Sequence, residues 1–284
     1  RAAAASRTAP VQSLTVQAVQ MPAWTTREGE RIPLGAGDSV STDHELQTAA
    51  DAGLVLALPE GSLIRLGEKT RLGVRRLEAS TLPDGRTGVR SELKLFDGFF
   101  RFATSAVARA VGERQIDVSL RTATIGVRGT DFWSMSDAQH DAVCLFEGKV
   151  DLATSDQGSL PLDRPTAFWS RFFDQAPQPV GTATPDELAR FIASAELRPG
   201  GGIAVVGGRY RVVAATLTSA SAAAALRLRL RTEGYPAQIA VREQAGRPLH
   251  QVRIDNFASV RDAQTVLQRI GAIPGVSGRV ALRA

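Results

Sequence analysis

The residues able to carry out chemistry are few in this chain and lie far apart. Its 284 residues include one cysteine, Cys144, and three histidines, His44, His140 and His250. One cysteine excludes an internal disulfide and a cysteine-based zinc cluster, and three scattered histidines do not predict a metal site. Cys144 lies in the apolar run 142–145, which favours a small buried side chain over a nucleophile because no sequence feature supplies a base. No signature pairs two carboxylates for glycoside hydrolysis, so the sequence predicts neither an enzyme nor a cofactor.

A glycine motif, Gly126-x-x-Gly129-Thr130, has the composition of a phosphate-binding loop. It lacks the Gly-Lys-Ser/Thr of such loops, and no helical pattern follows it. Glycines that interrupt apolar runs are typical of tight turns, where the backbone needs a positive φ or a close approach. We therefore interpret the motif as a turn between strands.

The elements that position these residues differ between the two ends of the chain. From about residue 11 to 152, short apolar runs alternate with Gly, Pro and Asp turn signals, and no long segment keeps a helical period. The runs are residues 54–58, 62–66, 92–95, 99–102 and 142–145, and a turn at Asp97-Gly98 separates two of them. Many short strands at this spacing predict an all-β sandwich, barrel or roll.

Residues 161–207 are rich in Pro and Gly and predict a linker with one short helix at 185–197. Thr184 is a suitable N-cap, Pro185 fits the first helical position, and Glu187 completes a capping box. One face of this helix is apolar, which favours docking on another surface; it comprises Leu188, Phe191, Ile192 and Ala195. Phe168 and Trp169, just upstream, are expected to cover an apolar patch or a sheet edge.

From about Tyr210 the pattern predicts the order strand, helix, strand, strand, helix, strand. The run 226–231 alternates Leu and Arg as a strand would, but the alanines before it and Gly234 after it favour a helix. Ser259 is the expected cap of the second helix. The net charge of +5 is concentrated here, because residues 203–284 hold 12 Arg and 4 acidic residues, whereas residues 1–202 have a net charge of −3.

The N-terminal region resembles the FecR-like domain of bacterial envelope proteins. The segment 122–132, with Arg128-Gly129-Thr130 at its centre, is similar to the family's signature of an apolar strand that leads into Arg-Gly-Thr-x-Phe. Supporting motifs follow the family's order; they are Gly37-Asp38, Pro59-Glu60-Gly61-Ser62, Leu93-x-Leu95-x-x-Gly98 and Phe146-Glu147-Gly148-x-Val150. The resemblance covers about residues 29–152.

The C-terminal region resembles the SPOR domain, a peptidoglycan-binding module with a four-stranded antiparallel sheet backed by two helices. The family begins each half with an aromatic-x-Val-x-x-x-x-Phe strand, to which residues 210–217 and 250–257 correspond. Val213 and Leu217 depart from it, since the family usually has Gln and an aromatic there. The resemblance implies binding of glycan strands stripped of their stem peptides, on the sheet face away from the helices.

Alternation along the strands assigns residues to that face. Tyr210, Val212 and Ile254 are among those expected to face the helices, which leaves the alternate positions, Ala215 included, on the open face. Planar donors and acceptors suit the hydroxyl and acetamido groups of sugars. The predicted glycan-binding residues are Arg211, Val213, Gln251, Arg253 and Asp255.

The two resemblances together predict a non-catalytic protein of the periplasm or cell envelope whose partner is peptidoglycan. We expect a leader and first strand in residues 1–28, a FecR-like domain in 29–160, the linker in 161–207 and a SPOR-like domain in 208–284. The run of small residues at Ala2 to Ala5 suggests the end of a secretory signal peptide, although an unstructured leader is an equal alternative. No apolar run reaches the roughly 20 residues of a membrane span.

Nucleic acid is not an expected partner, because the open strands lack adjacent aromatic stacking residues. Binding of bare glycan would place the β region at sites of wall remodelling or cell division. There it would supply a second wall contact or bind another envelope protein. The alternative is a FecR-type regulator that relays the state of the envelope to a sigma factor.

Overall fold

The computed structural model describes residues 13–81, 87–104 and 114–283. In these ranges the N-terminal part consists of strands and the C-terminal part of strands and helices, which confirms the predicted combination of an all-β region with an α+β domain. Residues 1–12 of the expected leader lie outside the described residues. No helix within the described ranges is long and apolar enough to cross a membrane.

The N-terminal region, called the β-domain below, contains the first seventeen described strands. In chain order they are β1 (Leu14–Gln20), β2 (Ala23–Arg27), β3 (Glu30–Pro33), β4 (Ser39–Val40), β5 (Glu45–Thr48), β6 (Gly53–Ala57), β7 (Leu63–Leu66), β8 (Arg71–Thr81), β9 (Thr87–Ala103), β10 (Arg114–Ser119), β11 (Ala123–Val127), β12 (Asp131–Ser136), β13 (His140–Glu147), β14 (Val150–Thr154), β15 (Gly158–Leu162), β16 (Ala167–Phe172) and β17 (Gly181–Thr182).

These strands form two sheets. Sheet 1 has the order β3-β2-β5-β8-β9-β10-β11-β14-β15, antiparallel except for the parallel pair of β9 and β10. Sheet 2 has the order β1-β6-β7-β9-β12-β13-β16-β17, with β4 on the side of β1 opposite β6. Apolar side chains of both sheets, among them Phe100, Phe132 and Trp169, form one buried core.

Strand β9 belongs to both sheets, and it changes from one to the other at Gly98. Its residues up to Asp97 pair with β8 in sheet 1, and those from Gly98 onward pair with β12 in sheet 2. Gly98 has φ +96°, and a side chain there would collide with Thr70. The prediction of a turn between two strands is therefore wrong at Asp97-Gly98, because a glycine bend within a strand has the same sequence signal as a turn.

Helix α1 (Pro185–Ser194) covers the outer face of sheet 2. The predicted capping box between Thr184 and Glu187 is present. Phe191 stacks on Trp133 at 4.1 Å between ring centroids and on Phe168 at 5.5 Å, and the indole Nε1 of Trp133 donates to Ser194 Oγ at 2.9 Å. This apolar contact is what holds the helix in place.

The segment predicted as a linker, 161–207, holds more structure than a free linker would. It includes the end of β15, all of β16 and β17, helix α1, and a short strand β18 (Ile203–Val205). Edge strands and tight connections accept Pro and Gly, and so do linkers, so an abundance of these residues does not by itself indicate a linker. Sequence alone does not separate these cases.

The C-terminal domain has the predicted order, β19 (Tyr210–Leu217), α2 (Ala220–Thr232), β20 (Gln238–Gln244), β21 (Arg247–Phe257), α3 (Val260–Ile270) and β22 (Arg279–Leu282). Its antiparallel sheet has the order β20-β21-β19-β22. The Leu-Arg run is helical, as predicted, with Leu226 and Leu230 buried and Leu228 exposed to 66%. Ser219 and Ser259 cap the two helices.

Strand β18 joins the C-terminal domain to the β-domain. It pairs with β1 through three residues and with Phe257 of β21 through Ala204. Asp262 Oδ1 on α3 accepts from the backbone N–H groups of Gly202, at 3.1 Å, and Ile203, at 2.9 Å. Arg269 on α3 also donates to the carbonyl of Met21 at 3.0 Å. The two domains therefore share backbone pairing as well as a core.

Candidate functional site

The sheet face away from α2 and α3, called the open face below, carries most of the predicted glycan-binding residues. Arg253 pairs with Val213 on one side and Gln238 on the other. Paired residues of neighbouring strands point to the same face, so these three side chains share it. Val252 and Ile254, on either side of Arg253 in sequence, are fully buried in the core, as the alternation requires.

Asp255 lies between two arginines on this face. Its Oδ1 is 3.2 Å from Arg211 Nε, and its Oδ2 is 3.1 Å from Arg253 Nε. Arg211 is only 5% exposed. Burial and the charges of Arg253, Arg242 and Arg283 lower the pKa of Arg211 from its ordinary value, although Asp255 opposes them. One carboxylate thus holds two guanidinium groups within a region of excess positive charge.

A pocket of about 610 Å³ lies farther along the open face, toward the β20–β21 hairpin. Val213 and Gln251 line it, together with Arg242 and Leu249 from the hairpin and Arg279 from the start of β22. The pocket offers the guanidinium and amide groups that bind hydroxyl, carbonyl or carboxylate oxygens. All five predicted residues therefore lie either in this pocket or in the arginine–aspartate cluster.

The register of β19 differs from simple alternation. It shifts between Val213 and Ala215, so that Ala215 pairs with the core residue Val252 and is 2% exposed. The expectation that Ala215 faces outward is wrong for this reason, since an extra residue in a strand reverses the facing of the residues after it. Thr216, which pairs with Gln251, occupies the open-face position in its place.

Sequence reasoning missed Arg242 and Arg279 as members of the site. Strand β20 extends to Gln244 and pairs Arg242 with Leu249. Arg279 pairs with Val213. The hairpin turn is Ala245-Gly246, with positive φ at both residues, and treating this Ala-Gly pair as a two-residue turn would have placed Arg242 correctly.

The cysteine and the glycine motif that were considered first for chemistry have structural roles in this fold. Cys144 is fully buried, and burial, assisted by the nearby Glu187 charge, raises the pKa of its thiol to about 12. Gly129, at φ +67°, makes the bend between β11 and β12, which confirms the turn interpretation. No three His, Cys, Asp or Glu side chains are grouped as metal ligands within residues 13–81, 87–104 and 114–283.

Comparison with known families agrees with these two parts of the fold. Residues 44–151 match the family described as FecR protein, and residues 206–277 match the SPOR domain. The chain thus combines a FecR domain with a C-terminal SPOR domain. FecR and SPOR are non-catalytic binding and regulatory families, and a SPOR domain implies peptidoglycan binding and a location in the cell envelope.

Similar solved structures include two crystal structures of a candidate anti-sigma factor from Parabacteroides distasonis ATCC 8503. They are 14% and 13% identical to this chain, with TM-scores of 0.38 and 0.39. The matches cover 72% and 84% of this chain and 97% of each of those chains. TM-scores this low support no conclusion about function. No curated protein sequence matches the chain.

Proposed function

We propose that this chain is a non-catalytic envelope protein that binds the glycan strands of peptidoglycan where stem peptides have been removed. The open face of the SPOR domain is the binding surface. The observation that carries the proposal is the arginine–aspartate cluster of Arg211, Asp255 and Arg253 beside the 610 Å³ pocket. Binding in the periplasm would place the FecR domain at sites of wall remodelling or division.

The chemistry of a bare glycan strand fits this face. Its sugars present hydroxyl and acetamido groups, and hydrolysis of the amide bond to each stem peptide leaves a carboxylate. Guanidinium groups donate paired hydrogen bonds to carboxylates, and the amide of Gln251 both donates and accepts. Because Asp255 already holds Arg211 and Arg253 in position, less side-chain freedom is lost when a ligand binds.

The decisive test compares two arginines of equal charge on opposite faces. Arg253 lies on the open face, whereas Arg227 is exposed on α2. We expect Arg253→Ala to weaken the affinity for amidase-treated glycan strands about 10- to 150-fold, the equivalent of one charge-assisted hydrogen bond. Arg227→Ala removes the same charge and should change the affinity less than about twofold.

Two results would contradict the proposal. An equal loss in both variants would mean that the surface attracts any polyanion through its net charge, an effect that salt screens. No measurable binding by the wild-type chain would reject glycan binding outright. The full chain is the right material, because β18 joins the C-terminal domain to the β-domain.

The match to FecR protein favours a second candidate, a regulatory role in which the β-domain relays the state of the envelope to a sigma factor. Deletion of the gene would then change sigma-factor-dependent transcription, and both the wild-type chain and Arg253→Ala would restore it. Transcription that is insensitive to the deletion would contradict this candidate.

A further inference from the structure

A second cavity, of about 350 Å³, lies where the β-domain meets the C-terminal domain. One wall comes from the β3–β4 connection and its neighbours, among them Asp38, Ser39 and His44. The other wall comes from the C-terminal domain and includes Arg231, Gln238 and Asp255. This interdomain cleft is lined mostly by hydroxyl, amide, imidazole and charged groups, and it is not an apolar groove.

The interdomain cleft is continuous with the open face along β21. Leu249, Gln251, Arg253 and Asp255 are alternate residues of that strand and therefore share a face. Leu249 and Gln251 line the 610 Å³ pocket, Arg253 and Asp255 form the arginine–aspartate cluster, and Asp255 also lines the cleft. At about 3.4 Å per residue, these four positions span roughly 20 Å.

We infer that the glycan site is a single groove that runs along β21 and ends in the interdomain cleft, so that the β-domain supplies one wall of the site. This inference rests on the proposed function, since it takes bare glycan as the ligand. A strand long enough to pass the arginine–aspartate cluster meets Asp38 and Ser39 on one side and Gln238 on the other. These groups suit sugar hydroxyl and acetamido groups, which need both donors and acceptors.

The two walls of the cleft are held in a fixed relation. A Cβ added at Gly35 would meet the Pro236 ring at 3.4 Å, an ordinary van der Waals distance, so the two walls lie next to each other here. Pairing of β18 with β1 and the bond from Arg269 to the Met21 carbonyl brace the same junction. A preformed cleft of this kind binds without the free-energy cost of domain closure.

The test fills the cleft from the β-domain side and leaves the residues of the C-terminal domain unchanged. Ser39 is exposed on β4 beside the cleft, so Ser39→Trp places a large side chain there. Ser159→Trp is the matched control, because Ser159 is an exposed strand residue on β15, outside the cleft lining. The affinities of the full chain for long amidase-treated strands and for single disaccharide units are measured for both variants.

We expect Ser39→Trp to weaken binding of long strands about tenfold, with the affinity for single disaccharide units unchanged, and Ser159→Trp to match the wild type. Ser39→Glu, a smaller change that sets a carboxylate against the ligand's own, should act in the same direction and serves if the Trp variant does not fold. If Ser39→Trp, Ser39→Glu and Ser159→Trp all bound long strands as tightly as the wild type while Arg253→Ala bound them less tightly, the inference would be overturned and the proposed function would stand. Absence of glycan binding by the wild type would overturn the proposed function and the inference with it.

Discussion

Replacement of Asp262 by alanine tests whether the two domains are one structural unit. The Asp262 side chain is 3% exposed, and its Oδ1 accepts from the backbone N–H groups of Gly202 and Ile203 while Oδ2 accepts from Ser259 Oγ at 2.6 Å. Asp262→Ala leaves the two buried backbone donors without an acceptor. Each unpaired buried group costs about 1 to 3 kcal/mol, so the expected loss is about 2 to 6 kcal/mol. That is a large part of a typical stability of about 5 to 15 kcal/mol.

The assay follows tryptophan fluorescence during unfolding in urea. Trp24, Trp133 and Trp169 all lie in the β-domain, so their fluorescence reports its unfolding in urea, although the substitution is in α3. We expect the midpoint of the fluorescence transition of Asp262→Ala to move to a lower urea concentration. The transition of the helical circular dichroism signal should move with it. Asp262→Asn keeps an acceptor oxygen and should lose about 1 kcal/mol. A fluorescence transition that stays at the wild-type midpoint in Asp262→Ala would refute the coupling.

Three further predictions concern the β-domain and α1. Gly148→Ala should destabilise the chain by at least about 2 kcal/mol in urea unfolding, because Gly148 has φ +86° and an added Cβ would lie 2.7 Å from the Gly129 carbonyl oxygen. Gly158→Ala, at φ +72° with open space around it, should cost only about 1 kcal/mol, and equal losses would contradict the steric explanation. Cys144, with its thiol pKa raised to about 12, should resist disulfide reagents at pH 8 until the chain is denatured, and labelling of the folded chain would contradict its burial. The Thr184 backbone N–H donates a hydrogen bond to the Glu187 carboxylate and lowers its pKa below the ordinary 4.5, so the capping box should stabilise α1 above that pH and lose this effect as the pH falls through the lowered pKa. Hydrogen exchange of the backbone amides at the start of α1 measures the loss, and an equal fall in protection with pH in the wild type and in Glu187→Ala would contradict this prediction.

Local signals predicted local structure well. The caps at Thr184 and Ser259 and the left-handed Gly234 are where their sequence neighbourhoods indicated. Such signals depend on contacts within a few residues, which the sequence contains directly. The helix over the Leu-Arg run was likewise decided by its flanking alanines and glycine.

Long-range pairing was not predictable in this way. The pairing of β18 with β1 joins residues 203–205 to 18–20, and no local pattern marks two segments so distant as partners. The two register shifts of β19 with β21, one before Val212 and one after Val213, also escape alternation. Along β21 the buried Val252 and Ile254 alternate with Gln251, Arg253 and Asp255, whereas the shift after Val213 turns Ala215 on β19 toward the core.

Sedimentation of the full chain with purified sacculi, before and after an amidase removes the stem peptides, tests the central claim most directly. The account predicts that the amidase-treated sacculi retain more of the chain, because bare glycan exposes the carboxylates and sugar groups that the open face recognises. It also predicts that the excess depends on Arg253 and persists at physiological salt. Equal retention by treated and untreated sacculi, or retention by neither, would contradict the account.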